Sequence, residues 1–349
     1  MARFSLGNVM PNKTLLSVAL MLVLAACGGN DSDDAELEPA ELEKFTAELK
    51  FKKEWSAGIG NGQGKKYSNL SLATDGDNVF AASNNGLVEA RSVASGKKLW
   101  RVNLKSTLTG GVGYGANRLA VASSNGSVKV LDSNTGAELW SKSLNAEILA
   151  APALDKEVVV VQTFNGKVMR FDVTTGEHLW DYESSLPKLS IRGTGAPILK
   201  DGIVYASFAN GRLAALQGND GSLLWSSRVA PPTGQSDIER VVDVDGKTLI
   251  LGNRIFAVSY QGRLTQFDRR SGQAIWFVEA SSSYGLAEGF DNIYYSHSDG
   301  LVHAVNADTA DITWEQSDLI RRQLGAPVTI SSYVAVTDFE GYIHILDQV

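Results

Sequence analysis

Few side chains in this 349-residue sequence have the type and spacing that chemistry needs. Cys27 is the single thiol, so an internal disulfide and a zinc cluster built from several thiolates are both excluded. The four histidines, His178, His297, His303 and His344, are scattered; His297 and His303 flank the Asp299-Gly300 turn without a third metal ligand beside them. Asp243 and Asp245, within DVDG, are two residues apart and on an extended segment point the same way. The further regularly spaced oxygens of a calcium loop are missing there, so no metal and no other cofactor is expected. No G-x-S-x-G elbow, P-loop or HExxH is present, which leaves recognition rather than catalysis as the expected activity. For recognition, SSLPKLSIRGTGAP presents Leu189, Ile191 and Arg192, apolar residues beside an arginine, which is the composition of a protein-binding anchor. A second stretch, SDIERVVDVDGKT, offers Asp237, Glu239, Arg240, Asp243 and Asp245.

The thiol has its own context. Arg3 and Lys13 flank a charged start, and Leu15–Ala26 (LLSVALMLVLAA) is apolar apart from Ser17. Twelve such residues are too short to span a bilayer and have the layout of a signal-peptide core. Leu24-Ala25-Ala26-Cys27 resembles the lipobox of bacterial lipoproteins, in which small residues admit the chain to a peptidase and the thiol takes a thioether-linked lipid. Gly28, rather than Asp, follows the cysteine, and the same resemblance implies sorting to the outer membrane with the domain on its periplasmic face. Residues 28–50 are acidic and carry Phe45 as their only aromatic, which reads as a flexible tether of at most ~75 Å. The expected organisation is thus a lipoprotein signal peptide over 1–26, a lipidated Cys27 with an acidic tether over 27–50, and one domain over 51–349. The formal charge of −7 becomes more negative once Arg3 and Lys13 are removed, which argues against nucleic acid or an anionic lipid surface as the main partner.

The domain is a repeat. A hairpin glycine recurs at Gly86, Gly126, Gly166, Gly211, Gly262, Gly300 and Gly341, each after a β-rich run such as RLAVASSNG or IVYASFANG. Trp100, Trp140, Trp180, Trp225, Trp276 and Trp314 each follow the first six of these by 14 residues. Gly96, Gly136, Gly176, Gly221 and Gly272 lie four residues before the first five tryptophans, and Ala310 takes the equivalent place in the sixth unit. Two consecutive hairpins with a tryptophan on the outer strand, at a period near 40 residues, specify an all-β propeller of four-stranded blades. A β-sandwich would not repeat one spacing six times. Trp55 stands in the same local setting ahead of the first hairpin, whereas FEGYIHILDQV ends before its second glycine and tryptophan are due. The strand around Trp55 is therefore expected to complete the last blade and close the ring, since an open propeller leaves unpaired edges. All seven tryptophans are expected to dock blade on blade.

The other half of each unit varies. The distance from tryptophan to the next hairpin glycine is 31 residues from Trp180 and 37 from Trp225, against 24 to 27 after Trp100, Trp140, Trp276 and Trp314. These two lengthened segments belong to adjacent units and should be spatial neighbours on one face, and they contain the two recognition stretches.

On these residues the chain is similar to the BamB family, the lipoproteins of the bacterial outer-membrane β-barrel assembly (BAM) complex. The likeness covers the lipobox, the acidic tether, GIGNGQGKKYSNL, the Gly–Trp repeats, PKLSIRG, DIERVVDVD and TWEQSDLIRRQLGAPV. It implies a non-enzymatic scaffold that binds the periplasmic POTRA domains of BamA and supports folding and insertion of outer-membrane proteins, with nascent outer-membrane proteins as a further candidate partner. The family's contact positions fall on Leu189, Ile191, Arg192, Asp243 and Asp245, with Ile191 where a leucine is usual. The family is eight-bladed, while seven hairpin units can be counted here; either the ring closes with seven blades or a terminal blade is missing. The alternatives are a periplasmic quinoprotein dehydrogenase, whose vicinal disulfide one lipidated cysteine cannot form, and a surface lipoprotein with a binding role.

Overall fold

The apolar runs of each repeat form strands whose burial differs with their place in the sheet. In the computed structural model, which describes residues 38–349 except 45, 47, 48, 66 and 67, Val158–Gln162 (VVVVQ) is buried at every position. Glu138–Ser143 (ELWSKS) buries only Trp140. An inner strand covered on both faces must be continuously apolar, whereas an outer strand needs one large anchor and can otherwise be polar.

Each Gly–Trp unit becomes one antiparallel sheet. The first is Ala73–Thr74, Asn78–Ala82, Leu87–Ser92 and Lys98–Asn103. The second, Leu108–Gly115 to Glu138–Ser143, gains Asn69–Leu70 as a parallel fifth strand. Four-stranded sheets then begin at Ala153–Leu154, Ile198–Lys200, Leu249–Leu251 and Ala287–Gly289. The seventh has three strands, Val328–Ile330, Tyr333–Thr337 and Ile343–Asp347. Six buried apolar clusters straddle successive pairs of sheets, so the core lies between the blades. The architecture is all-β and propeller-like.

The tryptophans make this contact. The indole N–H of Trp100 donates to Ser133 O (2.9 Å), Trp140 to Val173 O (2.9 Å), Trp180 to Gly218 O (2.8 Å), Trp225 to Arg269 O (3.1 Å) and Trp276 to Ala307 O (3.1 Å). Each acceptor lies three residues before the turn glycine, or Ala310, of the next sheet. A Cβ on Gly136, Gly176, Gly221 or Gly272 would meet the incoming indole at 2.6, 2.8, 2.7 and 2.5 Å. Glycine is needed there twice over, for a positive φ and for the neighbour's ring. Trp314 donates to Gln348 O (3.2 Å).

Trp55 takes the same seat on the first sheet, with its N–H on Val93 O (2.7 Å) and its ring against Gly96. The strand expected around it differs from what is formed: residues 51–59 carry no strand and pair with no edge of Ile343–Asp347. Docking needs only the indole and one carbonyl, whereas a ladder needs the backbone in register. Cys27, the signal segment and the first ten residues after the cysteine lie outside the described residues. Within the expected tether, Ala40 N donates to Ile320 O (3.0 Å), and Ala40 O accepts from Arg322 Nη1 (2.8 Å).

Candidate partner-binding face

The two lengthened connections meet. Residues 184–197 join the third sheet to the fourth, and residues 229–248 join the fourth to the fifth. The amide of Ile191 donates to Asp243 Oδ2 (2.5 Å), and Asp243 is itself fixed because its carbonyl accepts from Tyr260 N (2.9 Å) in the fifth sheet's hairpin. Gly193 N donates back to Ile191 O (2.9 Å), so the chain folds tightly behind Arg192. Asp245 lies directly under that bend: a Cβ on Gly193 would stand 2.2 Å from Asp245 Oδ2.

The structure therefore divides the five expected contact residues into two groups. Leu189 is 43% exposed, and Ile191 and Arg192 are partly exposed, so these three can face a partner. Asp243 and Asp245 are buried. Their spacing does place both carboxyls together, but facing inward and under the loop rather than into solvent. Oδ1 of Asp243 and Oδ2 of Asp245 have no hydrogen-bond partner among the described residues. Burial pushes the Asp243 carboxyl up to about 7, against the Ile191 N–H, which favours the charged form. Burial and the adjacent Asp243 charge push Asp245 up to about 8. A water-sized cavity of about 10 Å³ borders Asp245, Thr194, Ser207 and Gln162.

The rest of the second connection splits the same way. Ser236–Arg240 forms an exposed turn in which Glu239 accepts from Gln235 N (2.6 Å) and Ser236 N (3.1 Å) and holds Ile238 out in solvent. Val241, Val242 and Val244 are buried and carry the DVD stretch into the core. Spacing did not reveal two participants. Gly193 was visible as a glycine beside Arg192, although its role depends on a carboxyl 52 residues away. Glu147, whose Oε1 accepts from Arg192 Nη2, sits on a connection of ordinary length with no motif around it.

The histidines meet near neighbours by stacking or beside a carboxylate, His344 Nε2 at 2.9 Å from Asp338 Oδ2 and His178 Nε2 at 3.4 Å from Asp181 Oδ1. His303 stacks on Tyr295 (4.9 Å between centroids), and His297 Nδ1 lies 2.6 Å from Asp299 Oδ1. Among the described residues no group of three or more His, Cys, Asp or Glu side chains is placed to hold a metal.

The fold and this face define a propeller-like scaffold with docking tryptophans, whose two lengthened interblade connections are hydrogen-bonded to each other and present Leu189, Ile191 and Arg192 at the surface. Residues 84–316 match the family model described as outer membrane protein assembly factor BamB. The chain is 52% identical over 330 residues to the outer membrane protein assembly factor BamB of Pseudomonas aeruginosa, covering 95% of this chain and 87% of that one. The crystal structure of BamB from Moraxella catarrhalis superposes with a TM-score of 0.76 at 33% identity, over 80% of this chain and 85% of that one. The chain belongs to the BamB family. A quinohemoprotein alcohol dehydrogenase from Pseudomonas putida also superposes, with a TM-score of 0.62 over 81% of this chain and 66% of that one, but at 12% identity this likeness concerns the fold alone.

Proposed function

We propose that the chain is a non-enzymatic scaffold lipoprotein of the BAM complex. In this reading it is anchored through Cys27 on the periplasmic face of the outer membrane and docks on the POTRA domains of BamA. It thereby supports folding and insertion of outer-membrane proteins. Leu189, Ile191 and Arg192 are the contacting side chains; Asp243 and Asp245 act from beneath, holding the loop in the shape the partner meets. The observation carrying this reading is the bond from Ile191 N to Asp243 Oδ2, which makes one surface of two lengthened connections. Family membership supports it, since the names of the relatives describe outer membrane protein assembly. Ring closure through the segment around Trp55 belongs to the same reading and is supported by the seat its indole takes on Val93 and Gly96.

Leu189 is the position for a photo-crosslinker, because it is exposed and its loss opens no core. Irradiation of cells carrying the crosslinker there is expected to yield an adduct with BamA; a cell-wide absence of that adduct would reject the docking reading. Arg192→Ala is expected to weaken recovery of BamA by about tenfold, the effect of losing one interface anchor. Asp243→Asn and Asp245→Asn are the informative changes below it, because a lysine in either place would bury an unpaired charge. Lipid attachment is checked separately by palmitate labelling, which Cys27→Ser should abolish.

A further inference from the structure

Arg192 is held from outside the two lengthened connections. Its Nη2 donates to Glu147 Oε1, and Glu147 belongs to residues 144–152, which join the second sheet to the third. That connection is rigid on both sides of the carboxylate. Glu147 O accepts from Phe164 N (2.8 Å), and Ile148 O accepts from the hydroxyl of Thr109 (2.7 Å). Ile148 and Leu149 are fully buried.

The backbone of Arg192 is held by its neighbours' bonds, but its side chain is less constrained. Its side chain is 40% exposed, and its Nε and Nη1 donate to no acceptor among the described residues. A guanidinium on such a loop has many rotamers, and ordering it at a partner's surface costs free energy that pre-ordering removes. Glu147 occupies one nitrogen and leaves the other donors available. The Arg192–Glu147 pair is partly solvated, so its own contribution to stability is small. Its consequence is orientation.

We propose that Glu147 is a positioning residue of the partner-binding face, holding Arg192 so that its remaining donors meet an oxygen acceptor on the docking protein. The inference rests on the POTRA-docking reading and extends the face across a third connection. It concerns a side chain that touches Arg192 and need not touch the partner.

The test measures affinity of the full chain for BamA with five proteins: wild type, Glu147→Ala, Glu147→Gln, Arg192→Ala and the double alanine variant. Glu147→Ala is expected to weaken binding by roughly fivefold, within the range of coupling between contacting residues. Glu147→Gln keeps an acceptor oxygen of the same reach and should recover most of that loss, while the double variant separates action through Arg192 from local packing. The double variant should bind no more weakly than Arg192→Ala alone, because the glutamate acts through the arginine. If Arg192→Ala weakens binding but Glu147→Ala binds as wild type, or if the two losses simply add, the positioning role is overturned and the docking reading stands. If Arg192→Ala binds as wild type, both fall together.

Discussion

Asp243 and Asp245 illustrate what a two-residue spacing can and cannot say. Spacing put their side chains on one side of the chain; which side depended on the Leu189–Arg192 loop arriving over them, a contact 52 residues away in sequence between Ile191 and Asp243. Once buried, the pair acquires a pH dependence that an exposed pair would lack. An unfolded aspartate releases its proton near pH 4, whereas the folded carboxyls hold theirs to about 7 and about 8. The folded state thus binds more protons between those limits, and stability falls as pH rises through the interval. Below about pH 4 both states are protonated, and above about pH 8 the full cost of two buried charges has been reached. The slope approaches about 1.4 kcal/mol per pH unit for each proton retained. Asp245→Asn removes one titrating group while keeping its shape, so its urea unfolding free energy should fall less steeply between pH 5 and 8 than that of wild type. Parallel slopes would mean that the carboxyl is already charged, and therefore solvated, in the folded protein.

The hairpin and tryptophan elements were the most legible, because their rules are local. A turn that needs positive φ selects glycine, and the preceding blade's indole lands on that glycine and the carbonyl three residues before it. The one exception tests the rule. Ala310 has φ +68°, within the +66° to +74° of its five glycine counterparts, and so bears a strain they do not. Ala310→Gly is expected to stabilise the protein by about 0.5–1 kcal/mol, the left-handed penalty less the added chain entropy. Gly176→Ala should instead destabilise by about 2–3 kcal/mol, since it adds that penalty to a clash with the Trp140 ring. Thermal or denaturant midpoints decide both; equal and small effects would show that the indole adjusts freely. Less legible was the tether. Its acidic composition suggested free chain, yet Arg322, buried between Asp338 and Glu340, binds the carbonyl of Ala40. A composition signal reports how little a segment can bury, not whether a buried arginine on the domain will hold its backbone. On the lipoprotein reading, the chain between Cys27 and Glu38 then reaches at most ~40 Å, about half of the free tether's span. Ala40→Pro deletes the amide that donates to Ile320 O and should raise hydrogen exchange across 38–44 with the midpoint of unfolding unchanged. Fast exchange already present in wild type would remove the docked segment.

Across the whole molecule, stability is shared between neighbours, as in any chain of repeats whose units bury their faces on one another. The second to sixth sheets each take part in two of the six interblade clusters. The first and the seventh take part in one each, the seventh through Val334 and Val336 against the sixth sheet; the first has the Trp55 indole seated on its free side. The other side of the seventh carries large exposed apolar side chains, with Val328 at 56% and Ile343 at 66% exposure, and Ile343–Asp347 is an edge strand among the described residues. The repeat count made this imbalance visible in outline, since the seventh unit lacks its own tryptophan. What counting could not decide was whether the segment around Trp55 would supply the missing strand, because an indole finds its seat without the ladder. A sheet with half the usual interface and an exposed apolar edge should open before the sheets that take part in two clusters. Native-state hydrogen exchange is therefore expected to show Tyr333–Thr337 and Ile343–Asp347 exchanging through a partial opening of lower free energy than Val158–Gln162 or Ile203–Phe208. Trp314→Ala should lower that opening energy further, because the Trp314 N–H on Gln348 O is one of the bonds tying the seventh sheet to the sixth. If the seventh sheet exchanges only with global unfolding, its outer edge must be covered in solution, and the ring is closed more completely than the pairing of Ile343–Asp347 indicates.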